Sequence, residues 1–106
     1  MADRMATIKA MLRENPDDAF LHYSLGMEYA GSGDPQKAAD QFIECTRLDE
    51  GYLAAYVEAG KCLRSAGNLA AAREWLAEAL ELAARQGQEH TRDHIRQLLE
   101  AIPKGT

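Results

Sequence analysis

Residues 19–52, AFLHYSLGMEYAGSGDPQKAADQFIECTRLDEGY, run directly into residues 53–86, LAAYVEAGKCLRSAGNLAAAREWLAEALELAARQ. Slid by 34 positions, the first block sets Gly26 on Gly60, Gly33 on Gly67, Ala38 on Ala72, Glu44 on Glu78 and Leu48 on Leu82. A fixed period of this length marks supersecondary units that stack on one another. The matches fall where a helix hairpin needs them. Gly26 and Gly60 stand inside helical runs, where glycine costs about 1 kcal/mol against alanine and is tolerated if another helix comes close. Ala38 and Ala72 are expected to be the small residues facing them. Gly33 and Gly67 supply the tight turns between helices.

The rest of the chain repeats the helical theme. Alanine, leucine, glutamate and arginine dominate, while β-branched residues are few. Breaks recur at Asn15-Pro16-Asp17-Asp18, Gly31-Ser32-Gly33-Asp34-Pro35, Asp49-Glu50-Gly51, Ala66-Gly67-Asn68 and Gln86-Gly87-Gln88. Between them lie helical segments of roughly 12 to 18 residues, a length typical of globular helices. Asp34 and Asn68 fit as N-caps, with Pro35 at the first helical position. Gly67 and Gly87 fit just past a helix end.

This skeleton resembles the tetratricopeptide repeat, with its pattern W-x2-L-G-x2-Y…A-x3-F…P. Residues 19–52 carry His22-x2-Leu25-Gly26-x2-Tyr29 and then Ala38-x3-Phe42; residues 53–86 carry Tyr56-x2-Ala59-Gly60-x2-Leu63 and then Ala72-x3-Leu76. The chain departs from the pattern at His22 and Tyr56, which replace tryptophan. It departs again at Glu50 and Ala84, which replace the terminal proline. Backwards, Ile8 and Pro16 fit the same register, so residues 3–14 are expected to be the second helix of an incomplete repeat. Forwards, residues 88–102 take the place of a further first helix, with His94 at the glycine position. Ile95, Leu98, Leu99 and Ile102 give that segment one apolar face, as a cap requires. The resemblance implies an all-α, right-handed α-solenoid of about six helices, one domain spanning residues 1–106.

Composition excludes several functions. The chain has 106 residues, 46% hydrophobic and 27% charged, with a formal net charge of −5. Residues 1–53 hold ten acidic and five basic side chains, and residues 54–106 hold seven of each. An acidic first half speaks against nucleic acid, which needs clustered Lys and Arg, and against anionic membranes. No apolar run reaches the roughly 18 residues that a membrane span needs. The first residues, MADRMATIKAMLRENP, lack the apolar core of a signal peptide. Cys45 and Cys62 are too few for a disulfide framework and suit a reducing compartment. A cytoplasmic address is therefore expected.

No catalytic constellation is visible, and no cofactor is expected. His90 and His94 stand at i,i+4, a spacing that can hold zinc or nickel, but His90 is followed by Thr91 and the third histidine is distant at His22. His90 is expected instead to pack at the tryptophan-like position. Metal binding through these two histidines is the weakest alternative. Cys45 occupies a position where the resembled family has a small buried alanine, so it is expected to be a small apolar filler.

What the resemblance implies is a concave groove, lined by the first helix of each repeat, that receives a peptide or protein segment. Carried over position by position, the groove residues are Phe20, Tyr23, Ser24, Met27 and Ala30, then Ala54, Val57, Glu58, Lys61 and Arg64, then Gln88, Thr91 and Arg92. Phe20, Tyr23 and Met27 form an apolar stripe suited to a partner, and Lys61 and Arg64 suit acidic residues. A segment of mixed apolar and acidic character is the expected ligand. Family members that clamp a terminal carboxylate do so with Lys, Asn, Asn, Lys and Arg. Here those places hold Tyr23, Met27, Glu58, Gln88 and Arg92, so that ligand is not expected. Trp75 is a second contact candidate. A self-assembling homo-oligomer is the competing function.

Overall fold

Four of six helices open on a side chain that takes up an orphaned backbone donor. Asp3 accepts from the Met5 amide, Asp18 from Leu21, Asp34 from Lys37 and Asn68 from Ala71. The computed structural model describes residues 3–104. Its helices are α1 (Arg4–Glu14), α2 (Ala19–Gly31), α3 (Pro35–Leu48), α4 (Leu53–Ser65), α5 (Leu69–Arg85) and α6 (Glu89–Glu100), and the described residues contain no strand. The all-α helical-repeat architecture that the resemblance implies is the one observed. Its principal packing runs between consecutive helices along the chain.

The turns close as the glycines predict. Gly33 and Gly67 have φ of +83° and +87°, a region that side chains with a Cβ rarely enter. In each, the next amide reaches back to the helix end: Asp34 N–H donates to the Tyr29 carbonyl at 3.0 Å and Asn68 N–H to Leu63 at 2.9 Å.

Each mid-helix glycine has a nearer neighbour than the alanine expected to face it, although the Ala72 carbonyl also lies 3.5 Å from where a Cβ on Gly60 would stand. A Cβ on Gly26 would stand 2.7 Å from Cε1 of Phe42, and one on Gly60 would stand 2.6 Å from Cγ of Leu76. Ala38 and Ala72 are fully buried, but the group lying over each glycine is the large residue one turn further along the same face. The alanine lets the helices approach, and the ring or isobutyl group then fills the gap left by the missing Cβ.

The core runs along the stack through Phe42, Cys45, Leu63, Leu76, Ala79 and Ile95. Cys45 is buried as a filler, and burial followed by the Asp49 carboxylate pushes its thiol up to about 12. At the far end α6 buries Ile95 and half-buries Leu98 and Leu99, Ile102 just beyond it is buried as well, and Arg73 donates to the Pro103 carbonyl at 2.7 Å. At the near end α1 contributes Ile8 as its buried residue and lies along α2. The result measures 41 × 29 × 20 Å, with a radius of gyration of 14.0 Å. That is somewhat longer than the about 13 Å of a compact chain this size, as stacking in one direction requires. No described helix is long and apolar enough to cross a membrane.

Candidate functional site

The first helix of each hairpin, α2 and α4, together with α6, carries the expected groove positions. On α2 the spacing i, i+3, i+4, i+7 puts Phe20, Tyr23, Ser24 and Met27 along one side. These four line an open depression of about 430 Å³, whose other wall comes from α1 through Arg4, Ile8 and Met11. Phe20 is 62% exposed, Met11 48% and Met27 43%. Helix α1 therefore widens the apolar surface and does not cover it. Met11 is a member that sequence reasoning missed; its place three residues after Ile8 was the available signal.

Tyr23 has a double role. Its ring stacks on Tyr52 at 5.1 Å and 28°, and meets the buried ring of Phe42 at 5.3 Å and 60°. Burial, and next the Glu58 carboxylate, hold its hydroxyl above the ordinary tyrosine value. Tyr23 is thus a wall of the groove and a piece of the core at once. Ser24 is engaged locally, donating to the Phe20 carbonyl at 2.9 Å.

The α4 and α6 residues do not line that depression. Val57 is buried, so its groove role shrinks to support. Glu58 is half-buried and pairs with Lys61 at 3.5 Å, which leaves the ammonium facing solvent on one side. Arg64 is exposed. Arg92 is half-buried, and its Nε is shielded from solvent with no acceptor among the described residues. The surface is therefore apolar at α1 and α2 and carries Lys61, Arg64 and Arg92 on α4 and α6.

Other expectations are corrected. His90 is exposed on the first turn of α6 and does not pack in the tryptophan-like manner. His22, at the equivalent place in the first repeat, is held instead: Nε2 donates to the Pro16 carbonyl at 2.7 Å and Nδ1 pairs with the Gln41 amide at 2.8 Å. No group of three or more His, Cys, Asp or Glu suited to a metal occurs among the described residues. Trp75 is half-buried, its ring 5.6 Å from Tyr56 at 44°.

Comparison with known proteins agrees with this geometry. A family model described as tetratricopeptide repeat matches residues 21–52 and 53–86. The TPR repeat-containing protein PA0015 of Pseudomonas aeruginosa is 30% identical over 97 residues, covering 92% of each chain. Among solved structures, the type III secretion chaperone SycD of Yersinia enterocolitica, in complex with a peptide of the translocator YopD, superposes with a TM-score of 0.85. It is 23% identical, over 92% of this chain and 76% of that one. The TPR2B domain of yeast Sti1, in a pHsp70 complex, superposes with a TM-score of 0.83 at 19% identity, over 91% of this chain and 77% of its own. At these identities the two structures establish the fold.

Proposed function

The chain belongs to the tetratricopeptide repeat family, and we propose that it is a non-enzymatic protein-interaction module binding a protein segment along α2, α4 and α6. The observation that carries this is the open apolar depression between α1 and α2, where Phe20, Met11 and Met27 stay exposed in an otherwise well-buried molecule. A rigid groove loses little conformational freedom on binding, so modest contacts suffice. Two structural neighbours are described as complexes with a peptide or partner of another protein, which supports the same use here.

The ligand in this reading has an apolar residue for the Phe20–Met27 end and an acidic one for the α4 and α6 end. Lys61 and Arg64, both exposed, attract the acidic part. A carboxylate-terminal clamp is disfavoured: Tyr23, Met27, Glu58 and Gln88 offer apolar, neutral or negative groups where that clamp needs donors and cations. Residues 3–14 act as a leading half-repeat and 88–102 as a capping segment of a unit spanning 1–106. Two buried free thiols suit the cytoplasm as its place of work.

A peptide-library selection tests this. Wild type should enrich sequences that pair a large apolar residue with Asp or Glu, and a Phe20→Ala, Met27→Ala, Lys61→Ala, Arg64→Ala variant should lose them. Enrichment indifferent to these four substitutions would remove the groove from consideration. The exposed patch also suits a second copy of the chain, and mass measured against concentration separates that reading, since a monomer across the micromolar range ends it.

A further inference from the structure

A second depression, about 550 Å³, opens beside the two second helices, α3 and α5. Its lining comes from three elements: Thr46 on α3, Tyr56 on α4, and Glu74, Trp75, Ala77 and Glu78 on α5. None of these residues belongs to the groove proposed above.

The chemistry on offer there is one-sided. Tyr56 spends its hydroxyl proton on the Glu50 carbonyl at 2.9 Å, and Thr46 spends its own on the Ile43 carbonyl at 2.7 Å. Apart from the indole N–H of Trp75, the side chains present only acceptors and π faces. Glu74 and Glu78 are exposed, lie one helical turn apart on the same side of α5, and form no ion pair among the described residues. The Tyr56 and Trp75 rings are tilted at 44° with centroids 5.6 Å apart, so they form two inclined walls and not a closed stack. Carboxylates dominate the surroundings as well. Burial first, then Glu50 and Glu78, raise the Tyr56 hydroxyl above its ordinary value, with Arg85 acting against them and Asp49 adding to them.

An anion would be repelled from such a place, and a purely apolar ligand would strand two carboxylates at its edge. Two carboxylates without a third ligand make a poor metal site, in keeping with the lack of a metal-ligating group among the described residues. A planar cation that carries only donors fits every wall. Its face lies on the aromatic rings and its edge N–H groups fork to the carboxylates. Guanidinium meets this description better than ammonium, which is a compact point charge with no face to stack.

We propose that this cleft, walled by Tyr56 and Trp75 and rimmed by Glu74 and Glu78, is a second binding site that receives an arginine side chain of a partner protein.

Trp75 is the sole tryptophan of the chain, so its indole signal reports on the site alone. The full chain, isotope-labelled and at low ionic strength, is titrated to tens of millimolar with acetyl-arginine amide. Matched titrations use acetyl-lysine amide and the neutral isostere acetyl-citrulline amide. The site requires a saturable shift of the Trp75 indole N–H with arginine, a response about fivefold weaker or more with lysine, and none with citrulline. Glu74→Gln with Glu78→Gln, two exposed positions whose replacement leaves the core untouched, should weaken arginine binding about fivefold or more. Helix content by circular dichroism verifies that the variant is folded. An unsaturable or absent arginine response, equal responses to arginine and citrulline or to arginine and lysine, or full affinity in the folded double variant would each overturn the proposal.

Discussion

Phe42 lies against the backbone of Gly26, so close that a Cβ there would meet its ring at 2.7 to 2.9 Å. The same relation recurs between Leu76 and Gly60. Each hairpin is locked by a large side chain seated where a side chain is missing.

Gly26→Ala should therefore destabilise the protein. Strain against the fully buried ring is worth about 1–3 kcal/mol, and the helix preference of alanine returns about 1 kcal/mol. The expected net loss is up to about 2 kcal/mol, read from the urea midpoint. In a Phe42→Leu background the glycine substitution should cost less, because the obstructing ring is gone. Equal losses in both backgrounds would mean that the ring is not the obstacle.

Two aromatic residues on the same side of α2 should separate stability from binding. Phe20→Ala removes a largely exposed ring and should change stability by no more than about 0.5 kcal/mol, while weakening a groove ligand about tenfold or more. Tyr23→Ala removes a ring packed on Phe42 and Tyr52 and should cost about 2 kcal/mol in stability, whatever it does to binding. Thermal or urea unfolding beside a binding titration checks both.

Stability should fall in alkali. Burial holds the thiol of Cys45 up to about 12 and raises that of Cys62, whereas thiols of the unfolded chain ionise near about 8.5. Above that value the unfolded state gives up protons that the native state keeps, so native stability is complete below it and declines as pH rises towards about 12. The urea midpoint should drop between pH 7.5 and 10, where both figures are choices of buffer at about one unit below and above the free thiol value. Cys45→Ala with Cys62→Ala should flatten that drop. Native protein should also react slowly with a thiol reagent at mildly alkaline pH, and rapid reaction of both thiols would contradict their burial.

Helix α6 should act as a structural lid on the stack. Ile95 is fully buried, so Ile95→Ala should lower stability by about 2–4 kcal/mol. Replacing the exposed His94 with alanine on the same helix should change it by no more than about 0.5 kcal/mol.

Much of this architecture was legible in the chain because its devices are local. The spacing of Gly26 and Gly60, the caps at Asp34 and Asn68, and the turn glycines Gly33 and Gly67 each act within one hairpin, and short-range pattern captures them. What one hairpin does to the next was less legible. Nothing in the alternation around Tyr23 announces that it stacks on Tyr52 of the following segment, or that Val57 sinks into the core. His22 and His90 hold equivalent positions, yet only His22 has a hydrogen-bond partner in a neighbouring helix, Gln41. The cleft beside Trp75 was likewise invisible, since it joins residues of α3, α4 and α5 that only the stacking angle brings together. On the groove itself, the α2 stripe could be read from spacing, while Met11 became part of the wall only through the way α1 lies along α2.

The most direct test of the groove is a chemical-shift map of labelled protein titrated with a peptide from the library selection. The account predicts saturable shifts centred on Phe20, Met27, Lys61 and Arg64, with Met11 drawn in and with Thr46 and Trp75 unmoved. Shifts gathered instead on α3 and α5, with those four groove residues silent, would contradict it.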